Sequence, residues 1–348
     1  MSLYLKLFEN HNQYTAYTAS TEFITPNVSH CIQEIEVHYN PIVPPDYSQE
    51  YLTFKALEDG TFKFTKAINY STDGGTTWVA LAANTATPTI TSGNKIMWKA
   101  ELTPSSSNPR GIGTFSSTGN FSVEGNPMSL LFGDNFIGQT DLTSKDYAFY
   151  GLFASCSNLI SAKNLSLPAT TLADYCYHFM FEGCISLTTA PELPATALAA
   201  SCYGGMFQNC RSLTTAPELP ATTLAEGCYT YMFYGCTGLT TAPSILPATT
   251  LADYCYGYMF DSCTSLTTAP ELPATTLAEG CYYGMFNGCT NLNYIKAMFT
   301  TTPSATYTEI WVNGVAATGT FVKNSAATWN VTGVYGVPTG WTVQTASA

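Results

Sequence analysis

Charge is scarce in this 348-residue chain: Asp, Glu, Lys and Arg together make up 10% of it, with 24 acids against 12 bases. The formal net charge of −12 removes the clustered Lys and Arg on which phosphate-backbone binding depends, so nucleic acid is not expected as a partner. Histidine is scarcer still, and His11, His30, His38 and His178 are too scattered for a catalytic pair or a metal set. No run of about 18 apolar residues exists to insert in a membrane. An N-terminal secretory signal is also missing, because MSLYLKLFENHNQYTAY places Glu9, Asn10, His11 and Asn12 where an apolar core should run. The expectation is either that a native signal has been trimmed or that the protein reaches the exterior unsecreted, as a virion component released by lysis does. There is no GxSxG, no partnered nucleophile and no glycine-rich phosphate loop after a strand, so neither catalysis nor a cofactor is expected.

What the chain has in quantity is repetition. Near-identical segments start at Leu167, Leu193, Leu219, Leu246 and Leu272, stepping by 26, 26, 27 and 26 residues. Such a period belongs to a supersecondary unit stacked on its own copies, and the extra residue, Ile245, falls in a loop where a stack absorbs insertions. A degenerate copy, Tyr147 to Leu159, precedes the five and reads as a capping repeat.

Placed on a helix at about 100° per residue, Cys176, Tyr177, Met180, Phe181 and Cys184 share an arc of roughly 140°. All five copies keep these residue types, whereas the second, third, sixth and seventh places after the first cysteine vary. Each unit is therefore expected to be a short helix with an inward face of Cys, Tyr, Met, Phe and Cys, returning through the extended segment Leu187-Thr-Thr-Ala-Pro-Glu-Leu. Ten of the 12 cysteines occupy the two fixed places, leaving Cys31 and Cys156 without repeat partners. A buried row of thiols and disulfides between neighbouring units both fit these positions. A spacing of eight residues with no CxxC is not a metal-ligand pattern, and no metal is expected.

The helix-turn segment followed by GCxSLTxxxxLP resembles the BspA-like leucine-rich repeats of bacterial and phage-encoded surface proteins, most plainly in YAFYGLFASCSNL. The resemblance spans roughly Tyr147 to Leu292 and departs from the usual pattern where Ala190-Pro191-Glu192 replaces larger apolar residues. It implies a display surface on the outside of a cell or virion.

Residues 47–131 alternate apolar and polar positions between turn signals such as Glu58-Asp-Gly and Ser92-Gly-Asn, which predicts a small β-sandwich. Within it, Ser71-Thr-Asp-Gly-Gly-Thr-Thr-Trp78 resembles the Asp-box of sialidases and many unrelated β proteins. Ser71, Asp73, Gly75 and Trp78 are read there as a structural hairpin, with Asp73 bonding turn amides, Gly75 supplying positive φ and Trp78 packing beneath. The expected fold class is mixed α/β and β-rich: a leader or anchor over 1–46, the sandwich over 47–131, a connection and capping repeat over 132–166, a leucine-rich-repeat-like solenoid of short helices and extended strands over 167–292, and a C-terminal β cap over 293–348. Trp311, Trp329 and Trp341 either close the stack or form a sugar pocket.

Between Asn164 and Ile295 nine acids face a single base, Arg211. Glu192, Glu218 and Glu271 recur once per repeat, which marks a surface row and not a catalytic pair. The candidate contact surface comes from the variable places: Gln208, Asn209, Tyr231, Tyr234, Tyr258, Tyr283 and Asn287, which suit neutral sugars or a polar protein face. The resulting expectation is a bacteriophage virion fibre or decoration protein at the virion surface, homo-oligomeric, joined to other virion proteins through residues 1–46 and displaying the repeats to a bacterial receptor or neutral glycan. A BspA-like bacterial cell-surface adhesin is the alternative, and an Asp-box glycan-active enzyme ranks far below both.

Overall fold

The computed structural model describes residues 4–7, 16–18, 35–36, 46–104 and 111–346. The chain forms two compact units, Met1–Asp46 and Tyr47–Ala348. In the first, β1 (Tyr4–Leu7) pairs antiparallel with both β2 (Ala16–Thr18) and β3 (Ile35–Glu36). The remainder of the proposed anchor, with Cys31, His11, His30 and His38, lies outside the described residues.

The second unit opens with β4 (Leu52–Ala56), β5 (Phe62–Phe64), β6 (Ile68–Ser71), β7 (Val79–Leu81), β8 (Lys95–Lys99), β9 (Phe115–Ser117) and β10 (Phe121–Gly125). A short helix, α1 (Ser129–Phe132), and β11 (Leu159–Leu165) follow. Alternation of buried and exposed residues along β5 and β8 is what a half-buried strand requires. The expected sandwich over 47–131 is not what forms. Six strands make one mixed sheet in the order β11-β10-β4-β8-β6-β7, and among the described residues only the two-stranded ribbon β5-β9 accompanies it. Its outermost strand, β11, comes from the capping repeat and runs parallel to β10, so the sheet continues directly into the repeats. Phe54 anchors this part, with ring centroids 4.8 Å from Phe115, 4.9 Å from Phe121, 5.4 Å from Phe62 and Trp98, and 5.8 Å from Phe153.

The repeats correct the fold expectation more deeply. Among the described residues the only α-helices are α1 and α2 (Ala305–Thr308), each of four residues, so the repeats are not short helices. Each is instead a coil of consecutive tight turns. Within the Cys176 coil the amides of Cys176, His178, Met180, Glu182 and Cys184 donate three residues back, to Ala173, Tyr175, Tyr177, Phe179 and Phe181. The intervening amides of Tyr175, Tyr177, Phe179, Phe181 and Gly183 donate to Ala200, Cys202, Gly204, Met206 and Gln208 of the next coil, at 2.8–3.0 Å. Every other peptide thus bonds within the coil and its neighbour bonds across, leaving no backbone donor idle in the turn ribbon. The same alternation passes from the Cys281 coil to Thr306, Tyr307, Glu309, Trp311 and Asn313, so a further coil lies inside the region expected to be a β cap.

The turns repeat every four residues, and at every fourth residue the chain takes positive φ: Tyr175, Phe179 and Gly183, then Ser201, Gly205 and Asn209, then Gly227, Tyr231 and Gly235. Two residues per turn point inward. Cys176, Tyr177, Met180, Phe181 and Cys184 are all fully buried, as are their counterparts in the other coils to within 1% exposure. Their rings form two ladders. Phe153, Phe181, Phe207, Phe233, Phe260 and Phe286 stack at 5.4–5.8 Å, and Phe149, Tyr177, Tyr203, Tyr229, Tyr256 and Tyr282 at 5.5–6.0 Å, with planes within 12° throughout. Trp311 ends both ladders, 6.1 Å from Tyr282 and 6.1 Å from Phe286.

The stack closes on the parallel sheet β12 (Tyr294–Ala297), β13 (Thr320–Lys323) and β14 (Thr342–Thr345). Trp311, Trp329 and Trp341 are buried beside it and each indole N–H donates to a backbone oxygen, of Gly336, Phe299 and Ala316 respectively. Packed in this way, they serve as closure and offer no open sugar pocket. The 11 described cysteines are free thiols, all buried. The second thiol of each coil reaches back one coil: Cys184, Cys210, Cys236, Cys263 and Cys289 donate to the carbonyls of Phe153, Phe181, Phe207, Phe233 and Phe260 at 3.0–3.1 Å. Burial pushes the thiols of Cys176, Cys228 and Cys236 up to about 12, which suppresses the thiolate that metal binding or disulfide exchange needs.

Candidate functional site

The outer side of the coils is ordered by the positive-φ column. Because an L residue at positive φ is strained, glycine is favoured there, and where one coil has a ring its successor tends to have glycine beneath it. A Cβ added to Gly205 would lie 2.2 Å from Phe179 Cε1, and one added to Gly284 would lie 2.5 Å from Tyr258 Cδ1. The outer rings therefore lean onto bare backbone of the following coil. These variable places answer to their neighbours, and their variation is paired.

Tyr231, Tyr258 and Tyr283 come together in an open groove of about 320 Å³ between the third and fifth coils. Tyr231 and Tyr258 stack at 4.8 Å with planes 5° apart, and Tyr283 tilts against Tyr258 at 5.0 Å. Tyr234 packs edge-on against Tyr231 at 5.8 Å without lining the groove. Sequence reasoning missed the remaining walls, Tyr254, Glu226, Ser201 and Thr230, and the floor of Gly227 and Gly257. Tyr254 sits immediately before a fixed cysteine, at a place read as neither face. The signal for it was the recurrence of tyrosine there in two copies, Tyr175 and Tyr254.

The amides singled out with the tyrosines stand apart from this groove. Asn287 Nδ2 donates to Asp261 Oδ2 at 2.8 Å and its Oδ1 accepts from Asn313 Nδ2 at 2.8 Å, a side-chain ladder across three coils. The Asn209 side chain lies over Gly235, and Gln208 is half-buried near Gly205.

Electrostatically the groove is negative. Glu226 stands at its rim, and Tyr254 Oη donates to Glu279 Oε1 at 3.3 Å. The Glu279 charge, then burial, raises the Tyr254 phenol above its ordinary value. Burial, then the Asp261 charge, does the same at Tyr231, and burial leads at Tyr258. All three phenols stay neutral hydroxyls at physiological pH.

The Asp-box-like hairpin forms a separate, local structure. Ser71 Oγ donates to Asp73 Oδ1 at 2.7 Å, and Thr77 donates to the same carboxylate from its amide at 2.9 Å and from its hydroxyl at 2.6 Å. These bonds, the Thr77 hydroxyl first, hold Asp73 down to about 2. Gly75 has φ of +86° and its carbonyl accepts from Trp78 Nε1 at 3.0 Å. Trp78 lies against Tyr51 with Lys99 Nζ 4.3 Å over its ring, so its indole is committed to packing.

Among the described residues no group of three or more His, Cys, Asp and Glu is placed to hold a metal ion, and no helix is long and apolar enough to cross a membrane. His178 is mostly buried, its Nδ1 3.0 Å from the Ser201 carbonyl, with burial lowering its basicity. The chain matches no protein-family model, no curated protein and no solved structure.

Proposed function

We propose that this chain is a non-enzymatic structural and binding protein, a bacteriophage virion fibre or decoration protein whose stacked repeats are displayed for attachment to a bacterial host or its surface glycan. Kinship with BspA-like surface proteins, homo-oligomerisation and joining to other virion proteins through residues 1–46 belong to the same proposal. The observation that carries it is the division of labour in the coils. Inward residues are identical and buried from copy to copy, while one stretch of the outer side gathers four tyrosines around a groove.

Two measurements test it. Mass analysis of purified particles is expected to find this chain at a fixed copy number; its presence instead on a bacterial envelope would favour the adhesin. Replacing Tyr231, Tyr234 and Tyr258 together by Ala is expected to weaken attachment to host cells while circular dichroism keeps the folded signature. Undiminished attachment would remove the tyrosine face from the proposal.

A further inference from the structure

The groove on the tyrosine face combines two properties that together select for ligand charge. Its walls are the rings of Tyr231, Tyr254, Tyr258 and Tyr283, and its floor, Gly227 and Gly257, contributes no side chain. Tyr231 and Tyr254 are 37% and 43% exposed, so ring surface remains for a ligand to cover. Around these rings stand Glu226, Asp253, Asp261 and Glu279, and among the described residues no Lys or Arg pairs with any of the four. Arg211 is the single base between residues 164 and 295. The Glu226 side chain has no hydrogen-bond partner among the described residues.

An anion placed in this groove meets like charge, and a neutral sugar gains stacking but leaves the carboxylate field unused. A cation gains from both, because a ring face carries negative quadrupole and the carboxylates add direct attraction. Between cations, a methylated ammonium sheds its weak hydration more readily than a primary ammonium, whose compact charge is strongly hydrated. The volume of about 320 Å³ lies at the small end of ligand sites. We infer that this groove is a binding site for a compact organic cation of the quaternary-ammonium class, held against Tyr231, Tyr254, Tyr258 and Tyr283 with Glu226 as counter-charge.

The inference deepens the attachment reading and rests on it for biological setting, yet its test needs no cells. Full-length protein is titrated calorimetrically with choline chloride, with its uncharged isostere 3,3-dimethylbutan-1-ol, with N-acetyl-lysinamide and with sodium chloride. Choline is expected to bind saturably, about tenfold more tightly than the isostere, and more tightly than the lysine amide, with affinity falling as salt rises. Glu226→Gln, an exposed change that touches no core residue, is expected to weaken choline severalfold, and Tyr254→Ala about tenfold. Equal binding of choline and the isostere, stronger binding of the lysine amide, or full affinity in Glu226→Gln would each overturn it. A chain that adheres to host cells but ignores choline refutes this inference alone; one that binds choline but neither adheres nor occurs in particles refutes the attachment reading alone.

Discussion

The sheet region and the coil region bury similar side chains by opposite logics. Phe54 at the centre of the sheet touches five different rings drawn from β5, β8, β9, β10 and the capping repeat. Phe207 in the coils touches its own kind on either side, Phe181 at 5.5 Å and Phe233 at 5.6 Å, and nothing in its ladder differs one repeat further on. The first arrangement is specific to each site and ties together distant stretches of chain. The second is one solution reused, in which partners within the five repeats are 26 or 27 residues apart. The contrast teaches that uniqueness of packing is a property of the sheet, whereas the coils obtain order from register.

Alkali should separate the two regions most sharply. The coils hold ten of the repeat thiols and a ladder of buried phenols, and the sheet strands β4 to β10 contain no cysteine. A thiol whose folded pKa is raised from 9.0 to about 12, as at Cys176 and Cys236, favours folding while protonated. That stability is complete below pH about 9 and is lost as pH climbs through about 12. Urea midpoints are expected to be flat near neutrality and to fall steeply above that lower limit, with amide exchange accelerating in the coils before β4 and β8. A midpoint independent of alkali would break the comparison.

Truncating one ring in each region comes next. Phe54→Ala and Phe207→Ala are each expected to cost about 3–5 kcal/mol. Hydrogen exchange should nevertheless distinguish them: Phe54→Ala loosens the whole sheet and the capping repeat, while Phe207→Ala acts mainly on the coils either side. Uniform loosening by both would show that the coils unfold only with the sheet. A smaller effect is expected outside. Gly205→Ala forces a side chain into positive φ and against Phe179, costing about 1–3 kcal/mol, and Phe179→Ala should relieve part of that loss by removing the ring. Thermal melts of the two single variants and the double variant measure the coupling; strict additivity would mean that the ring and the glycine do not meet.

The repeat period and the buried faces were legible in the sequence, although the conformation read from them was wrong and the further coil through Trp311 was not seen. A helix advances about 100° per residue and a four-residue turn about 90°, so over nine residues both put Cys176, Tyr177, Met180, Phe181 and Cys184 inside. What distinguishes them is the positive-φ column, visible as Gly183, Asn209, Gly235, Ser262 and Gly288 at one fixed place. A run of Gly, Asn and Ser there is turn chemistry and argues against helix. The tyrosine groove was half legible: Tyr231, Tyr258 and Tyr283 followed from their outer positions, but Tyr254 and Glu226 enter from the coil entrance. Asn287 was assigned to a ligand although its amide is spent on Asp261 and Asn313, a commitment made between copies that a single copy does not reveal. The sandwich expectation failed because β11, the strand that fuses sheet to coils, lies beyond the interval that looked like a β domain.

Within the turn ribbon the crossing backbone hydrogen bonds run one way, from an amide in one coil to a carbonyl in its successor, whereas the extended segments bond in both directions. That ribbon is therefore directional: its leading end presents acceptors, met at Leu152 by the amide of Phe115, and its trailing end presents donors. Since those two ends make unlike demands while every interior junction is alike, a whole unit can be gained or lost in the middle by recombination without redesigning either terminus. Length, and with it the reach of whatever the outer side grips, is the property such a chain can change most cheaply.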